Sequence, residues 1–173
     1  MPLQILNRQR RLRVPRKRLF SLLRRALPAR RRRDRLVIHV VGDREIRRVN
    51  REQLGHDYAT DSIAFPLGDP TDPPGQRWLG EVFVSADTAV REARRRGHGP
   101  ALELCLYAVH GTLHLLGYDD HGPAERRKMR RREVELLGVD LRVDSAEKSQ
   151  MTNPKSQKTS KPQIPTGARR RGA

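Results

Sequence analysis

Leu3 and Ile5 alternate with polar neighbours, a spacing that predicts a short strand over Leu3 to Arg8. Leu19, Phe20, Leu22, Leu23 and Ala26 then recur at helical intervals behind Pro15, whose fixed φ suits a first helical turn. An amphipathic, basic helix is therefore expected up to Pro28. Leu36 to Val41 is β-branched and almost wholly apolar, the pattern of a strand buried on both faces. Gly42 and Asp43 offer an N-cap for a helix that turns Ile46 and Val49 inward and ends near Gly55. Ser62 to Phe65, stopped by Pro66, and Glu81 to Ser85 predict two further strands close together at the sheet edge. A loop rich in Pro, Gly and Asp over 67–80 joins them.

Ala89, Val90 and Ala93 lie on one face of a helix expected over Ala86 to Arg96 and closed by Gly97. Pro100 opens the next helix, Ala101 to Leu116, which is apolar on nearly every face and so must be the central buried helix. A last helix, from about Ala124 to Leu137, sets Arg126, Arg127, Lys128, Arg130, Arg131 and Arg132 against Met129, Val134, Leu136 and Leu137. Beyond Asp144 apolar residues give way to Ser, Lys, Thr, Pro and Gln, and 144–173 is expected to be a disordered basic tail behind one domain over 1–143. Two adjacent strands in mid-chain break any strict βαβ rhythm, which predicts an α+β fold: a small mixed four-stranded sheet packed with about five helices. No Gly-x-Gly-x-x-Gly follows a strand and no P-loop occurs, so nucleotide-binding α/β folds are disfavoured.

Charge changes the picture by its placement. Residues 1–35 carry 14 Arg and Lys against Asp34 alone, and 145–173 carry 7 against Glu147, whereas 36–144 hold 16 basic and 18 acidic residues. The net charge of +17 therefore sits at the two ends, where it suits a polyanionic partner. No apolar run reaches the ~18 residues of a membrane span, so no membrane partner is expected. The single cysteine, Cys105, has no disulfide partner within the chain and fits a reducing, cytoplasmic setting as a small buried hydrophobe. A transit peptide is disfavoured by a first 35 residues that hold only Ser21 and open with a strand-like alternation.

The chemistry concentrates on the buried helix. His110 and His114 stand four residues apart, so their rings stack on one helix face and both can reach a single cation. Gly117 stops the helix, and Tyr118-Asp119-Asp120-His121 brings further ligand-type side chains back to the same end. An isolated histidine on an apolar face is ordinarily a satisfied core residue, and His39 and His98 are read that way. Two in an apolar helix need a shared partner to offset their burial.

These residues carry a family resemblance. His110-Gly-Thr-Leu-His114-Leu-Leu-Gly-Tyr-Asp resembles the signature of the YbeY family, bacterial metal-dependent endoribonucleases of ribosomal RNA maturation. Asn50 through Thr60-Asp61-Ser-Ile-Ala-Phe65-Pro66 is similar to a second family segment, and Leu79-Gly80-Glu81-Val-Phe-Val-Ser85 to a third. The resemblance spans about residues 1–140 and implies a metalloprotease-like central helix that carries the metal ligands. The family motif is His-x3-His-x5-His; counting places Asp120 where its third histidine stands, with His121 one residue later. The third ligand is thus Asp120 or His121. Leu54 falls where the family has an arginine at its RNA-facing cleft, and His56 nearby offers a substitute contact.

The function implied is a zinc-dependent, single-strand-specific endoribonuclease in 16S rRNA 3′-end maturation and ribosome quality control. It would bind one Zn²⁺ per chain, and its partners would be precursor ribosomal RNA and the small ribosomal subunit. Catalysis would use a metal-bound water held by His110 and His114. A zinc peptidase needs a glutamate directly after its first histidine, where this chain has Gly111. Arg126, Arg127, Arg130 and Arg131 are candidate contacts to the RNA backbone, alongside Arg30 to Arg33 and Arg169 to Arg171. With aromatics at 4% of residues, no interleaved stacking platform for bases is visible. Near the site, Asp61, Ser62 and Tyr118 are further candidates, and Glu81 is a candidate to orient a ligating histidine. The alternative is a non-catalytic, metal-stabilised RNA-binding assembly factor.

Overall fold

The structure, a computed structural model, describes residues 2–69, 71–73 and 77–141. The expected basic tail over 144–173, including Arg169 to Arg171, lies outside the described residues. The fold is α+β, as expected: four strands, β1 (Leu3–Asn7), β2 (Arg35–Val41), β3 (Ser62–Pro66) and β4 (Trp78–Ser85), with five α-helices. The helices are α1 (Arg16–Ala26), α2 (Asp43–Leu54), α3 (Ala86–Arg96), α4 (Pro100–Leu115) and α5 (Pro123–Leu137), and one 3₁₀ turn covers Ala29–Arg31.

The sheet order is β1-β2-β4-β3, with β1, β2 and β4 parallel and β3 antiparallel to β4. Only β3 of the mid-chain pair is therefore an edge strand; β4 is interior. It also begins three residues before the expected Glu81. Trp78 pairs with Arg35 and Gly80 with Leu36, so Leu79 is an extra residue, a bulge that the loop-like composition conceals. Gly80 has φ +149°, and a Cβ there would lie 2.2 Å from the Phe65 carbonyl oxygen, so only glycine lets the two strands meet.

Strand alternation divides the core. Ile38, Val40, Val82 and Val84 face a main core shared with α1, α3, α4 and α5. Val41, Ile63, Phe65 and Phe83 face the other way, onto Ile46 and Val49 of α2. At the start of α2, Gly42 rather than Asp43 is the cap residue and gives no side-chain bond. The Asp43 amide instead donates to Asp87 Oδ2 at 2.8 Å, and Asp43 accepts from Ser85 Oγ, Thr88 Oγ1 and Arg91. The two helix starts are thus tied to each other.

α4 is buried on most of its surface, with ten of its 16 residues inaccessible, because it packs against α1, α3, α5 and the sheet at once. It meets β4 closely at Gly111, where a Cβ would lie 2.4 Å from Val82 Cγ1. Burial pushes the Cys105 thiol up to about 11, which makes it an inert core group. No helix among the described residues is long and apolar enough to cross a membrane.

Candidate metal centre

The C-terminal half of α4 carries His110 and His114 one turn apart, with ring centroids 4.6 Å from each other and planes at 86°. Past Leu116 the chain reverses through Gly117 at φ +87°, a left-handed conformation that suits glycine. The Gly117 and Tyr118 amides donate to the carbonyls of His114 and Leu113, closing the helix end. This reversal sets the Tyr118 carbonyl 3.1 Å from His114 Nδ1 and returns Asp120 to the two imidazoles.

Tautomers follow from what each ring faces. Glu133 Oε1 lies 2.7 Å from His110 Nδ1, and the partner of His114 Nδ1 is a carbonyl oxygen; both are acceptors only. In the neutral rings each Nδ1 therefore carries the hydrogen, and each Nε2 presents a lone pair. Those Nε2 atoms are 3.1 Å apart, and Asp120 Oδ2 stands 3.7 Å and 4.0 Å from them. With both rings in that tautomer three acceptors converge, an arrangement that suits a cation. Two ligands at about 2.05 Å from a tetrahedral ion are separated by about 3.3 Å, close to the imidazole spacing here. His110, His114 and Asp120 thus form a group that could hold a metal ion. Burial, and next the neighbouring His110, hold the His114 imidazole below its ordinary value, which favours the neutral ligand form.

His121 is not brought to this group. Asp119 Oδ1 accepts from the amides of Asp120 and His121 and from His121 Nδ1, a local turn that pins the His121 ring outward. The ring is 88% exposed, and its hydrogen bond with Asp119 raises its pKa, so protonation competes with ligation.

Glu133, which the sequence reading does not single out, is the residue that orients a candidate ligand. It is buried on α5 among Met129, Leu136 and Leu137, where Val134 was expected. An acid on that apolar face is the signal that would have found it. Glu81 does not take this part: its carboxylate lies 3.4 Å from His39 Nε2, on the α2 side of the sheet. His39 stacks on Phe83 at 4.3 Å and is buried, with that carboxylate as its ion-pair partner, so it is a core histidine. His98 Nε2 lies 2.9 Å from the buried Glu103. Asp61 accepts from the Ser62 amide and Thr60 Oγ1, the arrangement of a turn cap. Tyr118 contributes its carbonyl, and Lys128 Nζ sits 5.5 Å from its ring centroid.

Beside the histidines opens a cleft of about 310 Å³ lined by His110, Asp120, Arg126, Arg127, Arg130 and Glu133, among others. Arg126 and Arg127 are exposed, and Arg130 is held by Asp140 at 2.8 Å. Arg131 is exposed but does not line the cleft. Leu54 is 48% exposed at the end of α2, and His56 stacks on Tyr58.

A protein from Anaeromyxobacter sp. (strain Fw109-5) named Endoribonuclease YbeY is 48% identical over 109 residues, covering 63% of this chain and 56% of that protein. The chain thus spans a little over half the length of that relative. A protein of the same name from Chlorobium phaeobacteroides is 40% identical over 138 residues, covering 79% of this chain and 96% of that protein. The solution structure of a Thermotoga maritima protein shares the fold, with a TM-score of 0.50 at 20% identity, covering 91% of this chain and 99% of that one. The family model described as Endoribonuclease YbeY matches residues 4–139, which take in all five helices, the histidine pair and all of the sheet but Leu3: the chain belongs to the YbeY family.

Proposed function

We propose that this chain is a zinc-dependent endoribonuclease that cuts single-stranded precursor ribosomal RNA in the cytoplasm. Its place would be 16S rRNA 3′-end maturation and ribosome quality control, with the small ribosomal subunit as partner and residues 1–143 as the catalytic domain. The relatives' name supports the reaction class. The observation that carries the reading is the convergence of two imidazole Nε2 atoms, 3.1 Å apart, with the Asp120 carboxylate 3.7 Å and 4.0 Å from them.

His110, His114 and Asp120 would hold the ion, a mixed imidazole and carboxylate set that suits Zn²⁺. When bound there, zinc supplies Lewis acidity towards a phosphoryl oxygen and makes a water acidic near neutral pH. Glu133 accepts from His110 Nδ1, which would leave His110 Nε2 to hold the ion. Arg126, Arg127 and Arg130 present guanidinium groups along the cleft, where they would grip flanking phosphates and neutralise charge on the scissile one. Arg131 adds to the field around them. A peptidase glutamate has no room after His110, since any side chain at Gly111 meets Val82.

The test is cleavage of a structured RNA with single-stranded flanks by protein as purified, after chelation, and after zinc is restored. Loss on chelation with recovery on zinc is expected. Full metal occupancy without cleavage at any salt concentration would overturn the reading and mark the chain as an RNA-binding assembly factor with a structural ion.

A further inference from the structure

Arg44, Arg47, Arg48 and Arg51 stand at i, i+3, i+4 and i+7 of α2, all exposed, while Ile46 and Asn50 turn into the protein. Four cations in one stripe place like charges at two i, i+4 pairs, an arrangement that destabilises a helix by itself. The fold compensates only part of it. Asp57 pairs with Arg47 at 2.8 Å and Arg51 at 3.6 Å, Glu52 is 3.9 Å from Arg48, and Arg44 has no ion pair among the described residues.

Across from this stripe runs the connection between β1 and α1, which adds Arg8, Arg10 and Arg11 and closes a groove of about 1480 Å³. Seven arginines line it against the four carboxylates of Asp43, Glu45, Asp57 and Asp87. Those acids are already engaged: Asp43 and Asp87 tie the starts of α2 and α3, Glu45 takes Arg8, and Asp57 takes Arg47 and Arg51. Arg10 and Arg44 are left without an ion pair among the described residues, and Arg11 reaches Asp87 only at 3.9 Å. Tyr58, 57% exposed and stacked on His56, offers an aromatic face at the same groove. The groove shares no lining residue with the cleft beside His110. α2 packs on the Phe83 side of β4 and α4 on the Val82 side, so the two lie on opposite faces of the sheet.

We propose that this groove is a second RNA-binding surface, holding the phosphate backbone of single-stranded RNA on the sheet face opposite the candidate metal centre. Guanidinium groups in a row match successive phosphates, and an exposed ring beside them can stack an unpaired base. A protein partner would need an apolar anchor, and the lining offers only Ala59 and the Tyr58 ring. A bilayer surface is flat and cannot follow a concave groove. The identity of the polyanion rests on the endoribonuclease reading; binding itself is measured without cleavage.

The experiment uses the full chain and a single-stranded 2′-O-methyl RNA oligonucleotide, with affinity followed across a salt series. Two triple variants are compared with wild type: R10A/R44A/R48A in the groove and R18A/R24A/R94A elsewhere, which remove equal charge from exposed positions. Losing three phosphate contacts lowers the slope of log K against log salt by about 2 and weakens binding about a hundredfold at 0.1 M salt. The groove triple is expected to do this and the control triple to change the slope by much less. Equal effects of both triples, no effect of the groove triple, or no binding by wild type would overturn the proposal. So would adsorption to phosphatidylglycerol vesicles through the groove arginines without RNA binding. If the groove triple behaves as expected while wild type cleaves no RNA, the groove stands and the endoribonuclease reading falls.

Discussion

Glu133 and His110 meet across the packing of α5 on α4, with the carboxylate oxygen 2.7 Å from Nδ1 of the imidazole. The glutamate is almost wholly buried, so a polar contact with the protein takes the place of water there. In Glu133→Gln the shape is retained and the charge lost. Zinc affinity is expected to fall about 10- to 100-fold, with the fold intact, as read by competition with a chelator of known affinity. An unchanged affinity would show that His110 is oriented by packing alone.

Gly111 sits where α4 touches β4. A helix interior gains up to about 1 kcal/mol when glycine becomes alanine. Here the new Cβ would be 2.4 Å from Val82 Cγ1 in a fully buried contact, and overpacking of that kind costs about 1–3 kcal/mol. Gly111→Ala is therefore expected to be destabilising in urea unfolding, and Val82→Ala added to it should return part of the loss.

At the junction of α2 and α3, burial pushes the Asp43 carboxyl up, but hydrogen bonds from Ser85, Arg91 and Thr88 outweigh it and hold its pKa below the ordinary value. A depressed pKa in the folded state contributes stability that is present above the unfolded value, about 3.9, and is lost as pH falls through the folded one. Asp43→Asn should lose about 1 kcal/mol at neutral pH. Its stability should also decline less than that of wild type on acidification below pH 4, measured by thermal unfolding.

Glu103 is fully buried at the start of α4; Arg96 Nη1 at the end of α3 lies 2.6 Å from its carboxylate, and His98 Nε2 in the connection between the two helices lies 2.9 Å from it. Removing one partner of a buried pair costs about 3–5 kcal/mol. Glu92 also holds Arg96 and would retain it, so Glu103→Ala is expected near the lower figure, about 3 kcal/mol, in denaturant unfolding.

Much of this architecture is legible in the chain because it rests on local periodicity. The β-branched run ending at Val41, the apolar surround of His110 and His114, and the stop at Gly117 are each read within one or two turns of backbone. What escapes depends on distant contacts. β4 starts at Trp78 because Arg35 pairs with it from another strand, and the bulge at Leu79 absorbs the mismatch. Glu133 lies 23 residues from His110 and meets it only through helix packing. Asp120 and His121 are equivalent by composition and nearly so by spacing; the turn on Asp119, a matter of three hydrogen bonds, separates them.

That separation bears on the central claim that His110, His114 and Asp120 hold a catalytic zinc. The most direct measurement is metal content by elemental analysis of wild type, Asp120→Ala and His121→Ala, each paired with RNA cleavage. The account predicts one zinc per chain in wild type and in His121→Ala, with loss of both metal and cleavage in Asp120→Ala. Retention of metal in Asp120→Ala with its loss in His121→Ala, or cleavage that persists in metal-free protein, would contradict it.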